Sequence, residues 1–305
     1  MEVLHALEGI RSPFLDMVFS LITQLGEETV VIVLLCLIYW CVNKRTAYVI
    51  GIAYFFSGIA VQGMKINFQI ERPWVIDPTL KPVEAAIPGA TGYSFPSGHT
   101  QSVVALFGTL ALRIRRIAVR VVCLLVVVLV AFSRLYLGVH TLLDVGVSLI
   151  ITTLIVLVVA KILSGDGANR KQDLILTLVL VVCALAVIAI AAVMFTNGRI
   201  DQGYLTDCLK AAGAGIGFAV GMCIERTYID FSVHTKHIMW QIVKFIVGIA
   251  GVLILKEGLK LVVGTGFVVD TARYFLICTW VTVFFPLIIR RFSAHSKKPA
   301  ENTSV

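Results

Sequence analysis

The chain has 305 residues, of which 58% are hydrophobic and only 14% are charged, and its mean hydropathy is +0.94. Because soluble domains carry about 25% charged residues, this composition excludes an ordinary soluble domain and indicates a membrane protein with several spans. The net charge of +8 does not indicate a nucleic-acid partner, since the basic residues are scattered in short segments between apolar runs.

The apolar runs predict the helices in chain order. Residues 13–24 are amphipathic and predict a helix that lies at the membrane interface. Nine spanning segments are then predicted, at 27–43, 46–66, 97–112, 117–137, 141–162, 173–195, 207–224, 239–263 and 273–289. Because unpaired backbone groups are not tolerated in lipid, these spans must be helical. The predicted fold class is therefore an all-α membrane protein, a polytopic helical bundle.

The distribution of basic residues predicts which side each loop occupies. Most of these residues fall in one alternating set of segments, at 44–45, 113–120, 161–171, 226–236 and 290–298. By the positive-inside rule this set is cytoplasmic, so the N-terminus lies outside and the basic C-terminal tail inside. The prediction is a multi-pass protein of the cell membrane.

The first polar motif lies where the second predicted span ends. It consists of Lys65 and Arg72, followed by Pro73. A guanidinium offers planar forked donors to phosphate oxygens, and lysine acts as a point charge. Either cation taken alone is better explained as an interfacial residue that extends its charge into water.

The second motif, Pro96-Ser97-Gly98-His99, opens the third predicted span. Serine is a good N-cap, glycine lets a ligand approach the backbone, and free N–H groups at a helix start bind anions. His99 would then project near a bound phosphate as a general acid. The alternative is an ordinary capped start of a membrane helix.

The third motif bridges the fourth and fifth predicted spans and contains Ser133, Arg134, His140 and Asp144. On a helix, residues four apart share one face, so Asp144 is predicted to bind a ring nitrogen of His140. That bond would select the tautomer and leave the other nitrogen free to attack. The alternative is a helix-end pair without a catalytic role.

Together the three motifs resemble the signature of the type 2 phosphatidic acid phosphatase (PAP2) superfamily, KxxxxxxRP, PSGH and SRxxxxxHxxxD. The resemblance implies that His140 is the nucleophile that forms a phosphohistidine, that Asp144 orients it and that His99 protonates the leaving oxygen. It implies phosphate binding by Lys65, Arg72, Ser97, Gly98 and Arg134. It also implies a six-helix core and no need for a metal or other cofactor.

The resemblance covers about half of the chain and suggests two parts. Residues 1–165, with a sixth core helix at 173–195, form the predicted phosphatase core. Residues 196–305 form about three additional C-terminal transmembrane helices and a basic cytoplasmic tail. Four glycines in this second part, at 213, 215, 217 and 221, predict close helix packing rather than a nucleotide loop.

All three motifs fall on the predicted non-cytoplasmic side, which places one phosphate site at the level of lipid headgroups. The predicted function is a metal-independent membrane lipid phosphatase, and its predicted partners are membrane lipids and a lipid phosphate substrate. Undecaprenyl diphosphate, slightly preferred on family grounds, phosphatidic acid and phosphatidylglycerol phosphate are the candidates. Two alternatives stay open: phosphotransfer between lipids through the same intermediate, and a non-catalytic transporter or binding protein. The vanadium-dependent haloperoxidases have similar motifs, but they are soluble.

Overall fold

The computed structural model describes residues 1–164, 169–235 and 237–295. Within them the secondary structure is helical, without a strand, which confirms the predicted all-α fold class. Single π-helical turns continue α3 and α11 and join α6 to α7, α12 to α13 and α14 to α15. The helices are α1 Glu2–Glu8, α2 Pro13–Thr23, α3 Glu28–Leu37, α4 Lys44–Phe68, α5 Pro73–Ile76, α6 Gly98–Val103, α7 Thr109–Arg113, α8 Ile117–Tyr136, α9 Leu142–Ile162, α10 Arg170–Thr196, α11 Gln202–Ile224, α12 Ile238–Leu253, α13 Leu259–Val263, α14 Phe267–Thr279 and α15 Phe285–His295.

Seven helical segments of the described chain are long and apolar enough to cross a membrane. They are Lys44–Ile76, Ile117–Tyr136, Leu142–Ile162, Arg170–Thr196, Gln202–Ile229, Ile238–Val263 and Phe267–Arg291. An eighth is obtained if Pro13–Gly26 and Glu28–Val42, which meet at a bend of 52°, are counted as one. The chain is therefore a multi-pass membrane protein.

One detail of the predicted spans is corrected by these helices. The predicted third span is not among the seven segments, because it corresponds to the short pair α6 and α7, which ends where the basic run from Arg113 to Arg116 begins. The amphipathic segment α2, predicted to lie at the interface, forms a bent unit with α3, which is the correction. The ring of Phe19 on α2 packs against Phe132 and Tyr136 of α8, at centroid distances of 5.4 and 4.3 Å.

The C-terminal helices share one apolar core with the N-terminal ones. Buried side chains from α3, α4, α9, α10, α11 and α14 form a single cluster. Helix α11 also lies very close to α14: a Cβ added at Gly213 would be 2.5 Å from the Thr271 carbonyl oxygen, and one at Gly217 would be 2.6 Å from that of Phe275. The prediction that these glycines serve helix packing is confirmed, because only a missing side chain allows this approach.

A polar cluster joins the two parts at one end of the bundle. Lys44 donates to the carboxylates of Glu225 and Asp230 at 3.1 and 2.6 Å, and Tyr48 donates to Glu225, which is fully buried. The ion pair with Lys44 holds Glu225 inside the bundle, because a buried carboxylate needs charged and hydrogen-bonded partners.

The N-terminal segment holds the long connection between α4 and α6. This contact lies at the end of the bundle opposite the cluster of Lys44 and Glu225. The imidazole of His5 lies 2.9 Å from a carboxylate oxygen of Asp77, and Leu4 packs against Leu80. Arg11 donates to the carbonyl of Tyr136 at 2.9 Å and also to that of Lys81. Three residues of the predicted cytoplasmic set lie outside the described residues. They are Lys236, and Lys297 and Lys298 of the predicted basic tail.

Candidate active site

The three motifs meet at one end of the bundle, as their spacing between spans predicts. Lys65 lies in the last turn of α4, Arg72 precedes α5, and Ser97 caps α6. Arg134 lies in the last turn of α8, and His140 stands just before α9. Direct contacts connect them: Nη1 of Arg72 is 3.1 Å from Nε2 of His140, and the Ser97 N–H donates to the Asp144 carbonyl at 3.1 Å.

His140 is oriented by a carboxylate and a hydroxyl. Its Nδ1 lies 3.5 Å from Oδ2 of Asp144 and 3.3 Å from Oγ of Ser94, and Ser94 donates to the same carboxylate oxygen at 2.6 Å. This arrangement assigns the proton of the neutral ring to Nδ1 and leaves the lone pair on Nε2. Nε2 can then accept a hydrogen bond from Nη1 of Arg72, which lies 3.1 Å away.

The predicted contact between His140 and Asp144 is present, but its geometric origin differs from the prediction. Helix α9 begins at Leu142, and Thr141 is its N-cap, so His140 lies outside the helix. Asp144 and Thr141 form a capping box, in which the Thr141 N–H donates to Oδ2 of Asp144 at 2.7 Å. The turn that caps the helix, and not one helical face, therefore brings the ring to the carboxylate.

The protonation of His140 suits a nucleophile. Only 2% of the residue is exposed, and burial is the main cause that lowers its pKa well below the ordinary value of 6.5. The cations Arg72, Arg134 and Lys65 lower this pKa further. The ring therefore stays neutral at neutral pH, and its Nε2 lone pair remains available for attack.

Arg72 is held by the backbone of the loop that surrounds it. It donates to the carbonyl oxygens of Gly92, Val139 and Thr91 at 2.8, 2.9 and 2.7 Å. Three bonds in the plane of the guanidinium hold the group rigidly beside His140. A preorganised cation at this position can stabilise charge on a phosphoryl oxygen without further reorganisation.

Arg134 is buried with unused hydrogen-bond donors. Only 2% of it is exposed, and its Nη1 donates to the hydroxyl of Thr23 at 2.8 Å. Its Nε and Nη2 have no partner within the described structure. Because buried polar groups are almost always hydrogen-bonded, two unpartnered nitrogens on a buried cation indicate a place for an anion.

The start of α6 has the predicted cap and an open side. The hydroxyl of Ser97 accepts from the Thr100 N–H at 3.4 Å and from the Thr100 hydroxyl at 3.0 Å, which confirms the N-cap prediction. A Cβ added at Gly98 would have no atom within 4 Å. The space beside Gly98 therefore lets a ligand approach the backbone.

His99 has a partner that sequence reasoning missed. Its Nε2 lies 3.0 Å from Oε1 of Glu27, at the bend between α2 and α3. The only sequence signal for Glu27 is the pair of carboxylates, Glu27 and Glu28, at the start of an apolar segment. An acid–base histidine held by a carboxylate has a defined orientation and tautomer.

A cavity of about 320 Å³ opens beside these groups. Of the predicted site residues, Lys65, Gly98 and His99 line it. Lys65 also donates to the carbonyl of Tyr93 at 3.2 Å. Arg72 lies one layer behind the cavity wall. Its guanidinium donates to the carbonyls of Thr91 and Gly92, and both of these residues line the cavity.

Ser94 is the second residue that sequence reasoning missed. It is fully buried two residues before the PSGH motif, and its hydroxyl joins Asp144 to His140. We expect Ser94→Ala to lower kcat about tenfold with KM changed less than about threefold, because a misaligned imidazole reduces attack more than binding. Phosphate release by the purified protein measures both constants.

The pH dependence of kcat/KM separates this positioning role from general damage. In the wild-type protein the acid limb lies below pH 6.5, because the pKa of free His140 is lowered by burial and nearby cations. In Ser94→Ala the limb moves upward, because the Asp144 carboxylate loses a donor and favours the imidazolium more strongly. Ser57→Ala, at an equally buried serine of α4, serves as the control. An unshifted limb in Ser94→Ala would contradict the assignment.

Two family models match this chain. One, described as the PAP2 superfamily, matches residues 45–168. The other, described as the PAP2 superfamily phosphatase, transmembrane extension, matches residues 209–298. No curated protein and no solved structure gave a match.

Proposed function

The chain belongs to the PAP2 superfamily and is a membrane phosphatase of that type, and on this premise we propose that it hydrolyses a lipid phosphate through a phosphohistidine on His140. The observation that supports this most is the tautomer imposed on His140, with Nδ1 toward Asp144 and Nε2 toward Arg72. A nucleophilic nitrogen beside a rigid cation is the arrangement that phosphoryl transfer requires.

In the first step, Nε2 of His140 attacks phosphorus while the bond to the leaving oxygen breaks. His99 donates a proton to that oxygen, and the alcohol or the lower phosphate departs. The cations Lys65, Arg72 and Arg134, with Ser97 and the backbone at Gly98, bind the phosphoryl oxygens. Their role is electrostatic, since the charge of the transferring group spreads over those oxygens.

In the second step, water attacks the phosphohistidine. His99 accepts a proton from the water, the N–P bond breaks with its electron pair returning to Nε2 of His140, and inorganic phosphate leaves. Glu27 holds His99 through both steps, because its carboxylate is 3.0 Å from Nε2 of that ring. The scheme needs no metal ion or other cofactor.

A lipid substrate is supported by the position of the site. The catalytic groups lie at the ends of helices that are apolar enough to span a membrane, where a headgroup phosphate would meet them. The surplus of basic residues at segments such as 113–120 supports a non-cytoplasmic active site in the cell membrane. Undecaprenyl diphosphate, phosphatidic acid and phosphatidylglycerol phosphate are the candidate substrates.

Phosphate release from purified lipids tests this proposal. The protein is assayed in mixed micelles with each of the three lipids, with and without a chelator. We expect release from at least one lipid at a rate that the chelator does not change. No release from any of them would contradict the proposal. Substrate dephosphorylation that requires an acceptor lipid and yields a phosphorylated acceptor in place of inorganic phosphate would identify a phosphotransferase. Lipid movement in liposomes without any loss of the substrate phosphate would identify a transporter.

A further inference from the structure

The cavity beside the catalytic residues has a second wall that belongs to the C-terminal helices. Tyr204, Asp207 and Lys210 of α11 and Tyr274 of α14 line the same cavity as Lys65 and His99. None of these four residues belongs to the three phosphatase motifs, and Lys210 and Tyr274 lie within the matched transmembrane extension. The C-terminal helices therefore contribute directly to the cavity beside the catalytic residues.

The contact between the two walls is close and specific. The rings of Tyr93 and Tyr204 stack with centroids 4.2 Å apart and an interplanar angle of 13°. Gly92 has a φ of +64°, and a Cβ there would lie 2.9 Å from the Tyr204 ring. The carbonyl of Gly92 also accepts a hydrogen bond from Arg72. Gly92 is therefore the one residue between Tyr204, at the start of α11, and a proposed phosphate-binding cation.

The second wall carries both hydrogen-bond donors and acceptors. Asp207 and Lys210 face each other loosely at 3.9 Å, and their side chains are 51% and 30% exposed. The carboxylate of Glu28, at the start of α3, also lines the cavity. Charged side chains are costly in membrane helices and usually face a water-filled or ligand-binding space. Their exposure into the cavity leaves them free to bind a ligand.

The chemistry of this wall selects among possible ligands. The carboxylates of Glu28 and Asp207 outnumber the one ammonium of this wall, that of Lys210, and this net negative charge disfavours a second phosphate group. A hydrocarbon chain would bury the ammonium, the carboxylates and the phenol without partners, which is unfavourable. A hydroxyl group both donates and accepts, so it can bind either Asp207 or Lys210.

We propose that Tyr204, Asp207 and Lys210 form a subsite for the leaving group, and that this leaving group is a hydroxyl-bearing alcohol such as a glycerol unit. The inference rests on the proposed phosphatase function and names its substrate class. Among the candidate lipids, phosphatidylglycerol phosphate has a free hydroxyl beside the scissile bond. The leaving group of phosphatidic acid is an acylated glycerol, which lacks that hydroxyl. The leaving group of an isoprenyl diphosphate is a monophosphate attached to a hydrocarbon.

The test compares two esters in the same protein. We expect wild-type kcat/KM to be at least about tenfold higher for phosphatidylglycerol phosphate than for phosphatidic acid, because a site built for a hydroxyl discriminates against analogues that lack it. In Asp207→Leu we expect at least about a tenfold loss on the hydroxyl-bearing lipid and less than a threefold change on phosphatidic acid. Lys210→Met should lose the same preference and serves as an independent second variant.

The control is Glu257→Leu, which removes an exposed carboxylate of the extension that does not line the cavity. It should retain both rates. Equal losses on the two lipids in Asp207→Leu and Lys210→Met, or no loss on either, would overturn the subsite. A wild-type protein without preference would also overturn it, while hydrolysis of phosphatidic acid would leave the proposed phosphatase function intact.

Discussion

Replacing His140 with alanine is expected to lower phosphate release by at least about 10³-fold, because the variant has no group that can accept the phosphoryl from the substrate. Among the histidines whose side chains the structure describes, His140 is the one with a carboxylate beside Nδ1 and a cation at Nε2. Release from the preferred lipid, measured with purified protein, gives the size of the loss. Turnover within about tenfold of the wild-type rate would contradict the nucleophile assignment.

Direct detection of the intermediate complements the rate. Wild-type protein quenched during turnover of a lipid labelled in its phosphate should carry an acid-labile label, and His140→Ala should carry none. His140→Gln keeps a polar side chain beside Ser94 and Asp144, and it should be equally inactive even if the alanine variant folds poorly. His234→Ala, at an exposed histidine of the segment after α11, should retain activity and label.

Replacing Arg134 with alanine is expected to lower kcat/KM about 10²- to 10³-fold, the effect of removing one preorganised donor from a developing charge. The free Nε and Nη2 of this buried guanidinium are the groups that would bind phosphoryl oxygens. Arg134→Lys should recover little of the rate, because an ammonium cannot reproduce the planar pair of N–H groups.

Arg134→Ala is expected to lose activity without a comparable change in thermal stability. Because the guanidinium is already incompletely paired, its removal should change the thermal midpoint by less than about 3 °C. Inorganic phosphate should raise the midpoint of the wild-type protein and not that of Arg134→Ala, since only a ligand that binds the native state stabilises it. Arg115→Ala, at an exposed arginine between α7 and α8, is the control. Equal stabilisation of both proteins by phosphate would contradict the assignment.

The spacing of the motifs predicted part of the geometry of the candidate site. The motifs identified His140, Asp144 and Arg72 as partners, and the structure brings these three together. The origin of the His140–Asp144 contact was predicted incorrectly, because a period of four was taken for a helical face when His140 in fact precedes the cap at Thr141. The spacing is correct for either geometry, so only the position of the helix start distinguishes them.

The contacts that Ser94 and Glu27 make with the motif residues could not be predicted from the sequence. Ser94 reaches Asp144 because the long connection folds back over the start of α9, and Glu27 reaches His99 because α2 and α3 bend by 52° between them. Local periodicity contains no information on either path, since the path of a long connection depends on packing between distant segments. The carboxylate at Glu27 was visible in the sequence, but its partner 72 positions away was not.

Hydropathy and motif identity alone were sufficient for the all-helical membrane fold, because lipid forces backbone groups to pair within each span. They also predicted the candidate phosphate-binding residues, because that chemistry needs particular side chains. The second wall of the cavity depended on tertiary structure. It arises because Gly213 and Gly217 let α11 lie against the backbone of α14, while the other side of α11 packs on α4. Which helix faces approach each other is decided by the shapes of surfaces far apart in the chain, and those shapes exist only after the helices have packed.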